Sequence, residues 1–168
     1  MAAWRHARKV ALRRARPEVT ALALLWMLAS ALPIVAATTE QIITDRNSGL
    51  AIHGFDPVGY FTEGAPTLGK GEFEYRHAGV VWRFHNAGNL AAFAADPDVY
   101  MPRYGGYDPV GIRRGAPVAG DPRNWIIVEQ RLYLFQSPEN KAIFAVDSER
   151  GVAAADEHWP AVLKSLAP

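Results

Sequence analysis

The chain has 168 residues, of which 49% are hydrophobic, enough apolar material for one modest domain with a buried core plus an appendage. Six basic residues and one acidic residue lie in the first 18 positions, so the remainder carries a formal charge of −4, against +1 for the whole chain. A mildly acidic body does not favour nucleic acid as a partner. Cysteine is absent, which excludes disulfides, thiolate metal sites, iron–sulfur clusters and cysteine nucleophiles.

The N-terminal segment has the pattern of an export signal. Residues 19–39 contain no charge, follow the basic stretch and end in small residues. This pattern predicts a signal peptide over residues 1–37, cleaved after Ala37. Because about 20 apolar residues also suffice to cross a bilayer, an uncleaved anchor over residues 19–39 is the alternative. In either case we expect a periplasmic or extracellular body that meets the membrane only through this segment.

Two similar phrases indicate an internal repeat. The first, GFDPVGYFTEGAP, begins at Gly54, and the second, GYDPVGIRRGAP, begins at Gly106. Further on, FHNAGNLAAF from Phe84 pairs with FQSPENKAIF from Phe135 at nearly the same offset. The shared offset favours a duplication, with pseudo-repeats at about 54–104 and 106–160. The alternative is that a frequent turn and two hairpins resemble each other without common origin.

Each copy is predicted to form a turn, a hairpin and a helix. In the first copy, residues 72–77 and 80–84 alternate apolar and polar side chains, as half-buried strands do. Asn86 is then expected to cap a helix that stops at Asp96-Pro97. In the second copy, residues 125–135 are apolar on both faces, which is typical of strands that are more fully covered.

The second helix and the C-terminus complete the predicted fold. Ser137-Pro138-Glu139 is a strong helix start, with a capping serine, a proline in the first turn and an acid against the dipole. A last helix is predicted from Asp156 or Trp159 to Leu166, with Pro160 in its first turn. The sequence therefore predicts an α+β fold in which two tandem ββα units pack as one small domain over residues 42–168, with a C-terminal helix.

The DPVG turns supply the candidate site. Proline holds the preceding aspartate extended, so Asp56 and Asp108 are either Asx-turn caps or ligand groups. The paired glycines of RYGGY (103–107) indicate a close approach to another backbone segment or a ligand. Ligand-binding candidates around the turns are His53, Asp56, Tyr60, Tyr104, Tyr107 and Asp108. Histidines and carboxylates without thiols suit a divalent ion such as copper or zinc, and the candidate metal ligands are His53, Asp56, His85 and Asp108.

Three stretches of the chain, AIHGFDPVGYF (51–61), VVWRFHNAGNLAAFAADPDVYMPRYGGY (80–107) and DEHWP (156–160), resemble the YHS-domain proteins, in particular their exported single-domain branch. The resemblance implies a relative of small metal-binding treble-clef modules. The positions of their metal-binding cysteines hold Gly59, His85 and Asn89 here, so of these three residues only His85 is a candidate metal ligand. The exported branch carries cysteine or selenocysteine after YGGY, where this chain has Asp108. An aspartate at that position can coordinate a metal ion but cannot cycle electrons.

Three functions are open on the sequence. The first is a non-catalytic exported binding module that takes a metal ion or a small polar ligand near the two DPVG turns. The second is a structural or interaction protein whose exposed aromatic residues Tyr104, Tyr107 and Trp159 dock a partner. The third is a small enzyme that uses an acid–base pair, His53 or His85 with Asp108. The G-x-S-x-G, phosphate-loop and H-E-x-x-H motifs do not occur, so no catalytic residue is assigned, and the sequence names no cofactor or protein partner.

Overall fold

The structure is a computed structural model that describes residues 40–166. The predicted signal peptide (1–37) and the alternative anchor (19–39) lie outside the described residues. Within residues 40–166, no helix is both long enough and apolar enough to cross a membrane.

The first unit is built around a two-stranded antiparallel sheet. Its elements are a turn at Ile52–Gly54, α1 (Gly59–Thr62), β1 (Lys70–His77), β2 (Val80–Phe84), α2 (Ala87–Ala95) and α3 (Pro97–Tyr100). Asn86 caps α2 as predicted, because its side chain accepts a hydrogen bond from the backbone N–H of Asn89 at 2.8 Å. Asp96-Pro97 ends α2, and proline is tolerated in the first turn of the next helix.

The second unit repeats this order of elements. They are a turn at Arg103–Gly106, α4 (Pro109–Ile112), β3 (Asp121–Val128), β4 (Arg131–Phe135), α5 (Pro138–Val146) and α6 (Ser148–Leu166). Ser137 caps α5, again as predicted. The α+β fold class, with two hairpin-and-helix units and a C-terminal helix, is confirmed.

The two hairpins agree in fine detail. The pairing register shifts between Lys70 and Glu74 in β1, and it shifts at the same place in β3. The tight turns Ala78-Gly79 and Glu129-Gln130 both have positive φ at each residue, the two-residue turn that suits the right-handed twist of a hairpin. Agreement in bulge and turn is what a duplication predicts.

Each helix covers its own sheet through one buried phenylalanine. The ring of Phe93 in α2 lies 5.1 Å from that of Phe84 in β2. Phe144 in α5, at the equivalent position, lies 5.2 Å from Phe135 in β4. All four rings are buried, and they belong to one continuous hydrophobic core. The two units therefore share an interior although their sheets are separate.

The leading segment (residues 41–51) joins the two units. The N–H of Ile43 donates to the carbonyl of Gly105 in the second unit, and the N–H of Ala51 donates to the carbonyl of Val81 in the first, both at 2.9 Å. Ile43 also accepts a hydrogen bond from the N–H of Ile52 at 2.9 Å. This segment precedes both repeats and belongs to neither, yet its backbone connects them.

The C-terminal helix begins earlier than predicted. α6 starts at Ser148, so the predicted start at Asp156 or Trp159 was wrong, and Pro160 lies inside the helix. An internal proline removes one backbone donor from the helix. The buried residues Ala155 and Val162 lie seven positions apart on either side of it, which is the spacing of one helical face. Packing of that continuous face outweighs the lost hydrogen bond.

Candidate functional site

The carboxylate of Asp56 is buried and is an acceptor inside its own unit. One oxygen accepts from the backbone N–H of Val58 (2.8 Å) and of Gly59 (3.2 Å). The other accepts from the backbone N–H of His85 and from the side-chain amide of Asn89, both at 2.7 Å. Asp56 has no solvent exposure. It therefore caps its turn and ties that turn to the end of β2 and the start of α2.

Asp108 repeats this arrangement in the second unit. One oxygen accepts from the backbone N–H of Val110 at 2.8 Å, and the other from the N–H of Gln136 (2.9 Å) and the side-chain amide of Asn140 (2.6 Å). Its solvent exposure is also zero. The structural interpretation of the DPVG aspartates, the Asx turn, is thus confirmed for both copies.

These contacts bear on the metal and acid–base hypotheses. A metal ion at either aspartate would have to displace hydrogen bonds that compensate for the burial of a charge. Among residues 40–166, no group of three or more His, Asp or Glu side chains is placed to hold a metal ion. The donors to Asp108 include no histidine, and the link of His85 to Asp56 runs through its backbone N–H. The geometry therefore lends no support to an acid–base pair at Asp108.

The paired glycines of RYGGY lie against the leading segment. A Cβ atom on Gly105 would collide with the carbonyl oxygen of Gln41, and its φ is +63°. A Cβ on Gly106 would stand 2.8 Å from the side chain of Ile43. The close approach that the sequence predicted is therefore to another backbone segment.

The three candidate tyrosines are buried and hydrogen-bonded. The hydroxyl of Tyr60 donates to the carbonyl of Pro122 at 2.9 Å, and that of Tyr107 donates to the carbonyl of Glu40 at 2.6 Å. The hydroxyl of Tyr104 donates to the carboxylate of Asp156 at 2.9 Å. Burial raises the pKa of all three phenols above the usual value near 10.

The expected patch of exposed aromatic residues is not present at Tyr104 and Tyr107. Each is 5% exposed, and the ring of Trp159 packs against both, at centroid distances of 5.4 and 6.2 Å. These rings attach α6 to the second unit. Their contact area is used within the chain, so the expectation that Tyr104 and Tyr107 are exposed was wrong.

His53 differs from the other candidates because its side chain is exposed. It lies in a left-handed backbone conformation, with φ +57°, which is uncommon for a residue with a Cβ atom. The repeat places Gly105 at the same position in the second unit, with φ +63°. His53 therefore occupies a position where the other copy has the conformationally easier residue.

A cleft lies beside the exposed side chain of His53. Its volume is about 710 Å³, and its lining includes Glu40, Asp45, Arg46, His53, Tyr107 and Leu166; we call it the His53 cleft. His53 precedes the first DPVG turn and Tyr107 precedes the second, so residues next to both turns meet in this one cleft. Neither Asp56 nor Asp108 lines it.

The charged groups of the His53 cleft are not all engaged. The carboxylate of Asp45 accepts from the N–H groups of Asn47 and Ser48, and these bonds lower its pKa. Glu40, Arg46 and His53 make no ion pair with another residue of the described chain. The cleft thus presents an acid, a guanidinium and an imidazole to solvent.

Two asparagine amides, and the residues that precede the first repeat, were not recognised as important from the sequence. Asn89 and Asn140 complete the carboxylate networks, and both stand at matching places in the two aligned helix stretches, so the repeat itself carried the signal. Glu40 and Arg46 line the His53 cleft but precede the repeat, and no motif marks them.

Comparison with known proteins gives no relative. No family model, no curated protein and no solved structure matches the chain.

Proposed function

We propose that this protein is an exported, non-catalytic binding module of the YHS-domain type that holds a small polar ligand in the His53 cleft. The observation that carries the proposal is His53 itself. It keeps an exposed imidazole on a left-handed backbone position in the lining of the His53 cleft, although the second unit has glycine at this position.

The conformation of His53 has a free-energy cost. A residue with a Cβ atom in the left-handed region is typically about 1 kcal/mol less favourable than glycine. The imidazole makes no ion pair within the described chain that would offset this cost. Residues with a strained backbone cluster at binding sites. An exposed histidine that keeps an unfavourable φ without an ion pair to offset it is therefore a candidate ligand-binding residue.

The charges of the cleft indicate the chemistry of the ligand. Glu40 and Arg46 offer opposite charges, and His53 adds a group that can donate or accept a hydrogen bond. A small polar molecule with both donors and acceptors suits this lining. A volume of about 710 Å³ is within the range of small-molecule sites.

The repeat supplies the test variant. His53→Gly copies the residue of the second unit, so we expect the melting temperature to stay the same or rise while the ligand is lost. Arg46→Ala should also weaken binding. Arg76→Ala is the matched control, because Arg76 is exposed on β1 and does not line the cleft.

The measurement is native mass spectrometry of the full chain purified from an exporting host, with elemental analysis of the same sample. We expect a stoichiometric small-molecule adduct in the wild type and in Arg76→Ala, and at least a tenfold lower occupancy in His53→Gly. The identified compound, added back at 100 times its Kd, should stabilise the wild type by about 2.7 kcal/mol. An adduct that survives in His53→Gly, or a wild type that carries none, overturns the proposal. A bound metal lost in His85→Ala, with His53→Gly unaffected, would move the site to the end of β2.

A further inference from the structure

The two units differ on the surface around Phe61 and Tyr100 of the first unit. In the first unit, the rings of Phe61 and Tyr100 pack edge to face with centroids 5.4 Å apart. The repeat places Arg113 and Gly151 at these positions in the second unit. There, a cleft of about 460 Å³ lies between α4, α5 and the start of α6. We call it the Arg113 cleft.

The wall of the Arg113 cleft is apolar. Val110 and Phe144 line it and are buried, whereas Ile143 is 45% exposed and Val146 is 87% exposed. These last two are among three large hydrophobic residues of the described chain that are exposed. Apolar surface is therefore concentrated where the aromatic pair of the first unit has no counterpart.

Two positive charges stand at the same cleft. Arg113 and Arg150 both line it, and neither makes an ion pair with another residue in the range 40–166. The first unit has Phe61 and Val99 at these positions. The acid of the cleft, Asp147, already accepts a hydrogen bond from the backbone N–H of Arg150 at 3.0 Å, where it caps α6.

We propose that the Arg113 cleft binds a small aromatic carboxylate. The ring lies against the apolar wall that Phe144 and Ile143 form. The carboxylate lies between Arg113 and Arg150. Arginine suits both parts of such a ligand, because its planar guanidinium pairs with carboxylates through two hydrogen bonds and stacks on aromatic faces. The Arg113 cleft shares no lining residue with the His53 cleft. If no carboxylate binds at the Arg113 cleft, the function proposed for the His53 cleft is unaffected.

The first unit supplies the matched variants. Arg113→Phe and Arg150→Val each install the residue of the other copy, so they remove one charge at a position where the fold is known to accept an apolar residue. Arg150→Lys keeps the charge but loses the planar fork. Arg76→Ala removes a positive charge elsewhere on the surface and serves as the control.

The assay is isothermal titration of the full chain with 3-phenylpropionate, 3-phenylpropanol and propionate. We expect 3-phenylpropionate to bind at least tenfold more tightly than the alcohol, which lacks the charge, and than propionate, which lacks the ring. Arg113→Phe and Arg150→Val should each lose at least tenfold in affinity, Arg150→Lys less, and Arg76→Ala nothing. Affinity should also fall with salt, because both arginines are exposed.

Three outcomes would overturn the proposal. One is equal affinity for the acid and the alcohol, and another is unchanged binding in both first-unit variants at wild-type melting temperature. The third is the absence of saturable binding of 3-phenylpropionate up to about 5 mM, which corresponds to a site too weak to be selective.

Discussion

Replacing Asp56 with alanine removes the carboxylate that accepts hydrogen bonds from four donors. These are the backbone N–H groups of Val58, Gly59 and His85 and the side-chain amide of Asn89. A buried donor left without a partner costs about 1–3 kcal/mol, and taking the low end for each gives a loss of about 4 kcal/mol. Because domains of this size are stable by only about 5–15 kcal/mol, the loss is a large share of the total.

The second unit gives an independent estimate from the same chemistry. Asp108 has three donors, so Asp108→Ala should cost about 3 kcal/mol on the same scale. Asp56→Asn should fall between wild type and alanine, because its oxygen still accepts while its amide group faces N–H donors. Asp45→Ala is the control, since that carboxylate also caps a turn but lies at a more exposed place.

The assay is urea unfolding followed by tryptophan fluorescence, with the free energy of unfolding extrapolated to water. A loss of about 4 kcal/mol corresponds to a melting temperature lower by roughly 10–15 °C. If Asp56→Ala and Asp108→Ala each cost less than about 1 kcal/mol, the carboxylates are not structural caps. Their burial would then need another cause, and a ligand role for both would be open again.

Three further outcomes are expected. Gly105→Ala should lower the melting temperature far more than Gly115→Ala: both have positive φ, but only at Gly105 would the new methyl group meet the carbonyl of Gln41. Burial raises the pKa of Tyr60 and Tyr104 in the folded protein. The contribution of these two phenols to stability is therefore complete below pH 10 and is lost as the pH rises above it. The urea midpoints at pH 8 and pH 11 should accordingly differ less in Tyr60→Phe and in Tyr104→Phe than in the wild type. Mass spectrometry of the exported protein should show a chain that begins at Thr38, whereas an intact N-terminus would establish the anchor instead.

The hairpins and helix starts could be predicted because their signals are local. Alternation over residues 72–84, the cap at Asn86 and the serine–proline start at Ser137 each act within a few positions of the chain. The start of α6 could not be predicted in this way. Taken alone, proline at position 160 indicates that a helix starts there. The helix continues through Pro160 because Ala155 and Val162 pack against the core on the same face.

The sequence singled out the DPVG aspartates but not the groups that their carboxylates contact. Their partners Asn89 and Asn140 lie more than thirty positions away, so burial of the carboxylates was not visible in the sequence. His53 was a candidate for its imidazole, and the feature that distinguishes it from the other candidates is the exposure of that side chain. Tyr104 and Tyr107 were expected on the surface because the partner that covers them, Trp159, belongs to the last helix.

The hydrogen bond between Ile43 and Gly105 has a consequence for how the chain folds during synthesis. Residues 41–43 leave the ribosome about sixty positions before Gly105, so the first hairpin and helix can form while the N–H of Ile43 still lacks its partner in the second unit. A contact between residues about sixty positions apart raises the contact order of the chain, and a higher contact order slows folding. A ribosome-bound chain stalled just before Gly105 should therefore expose residues 41–43 to protease, and one released beyond the second hairpin should protect them.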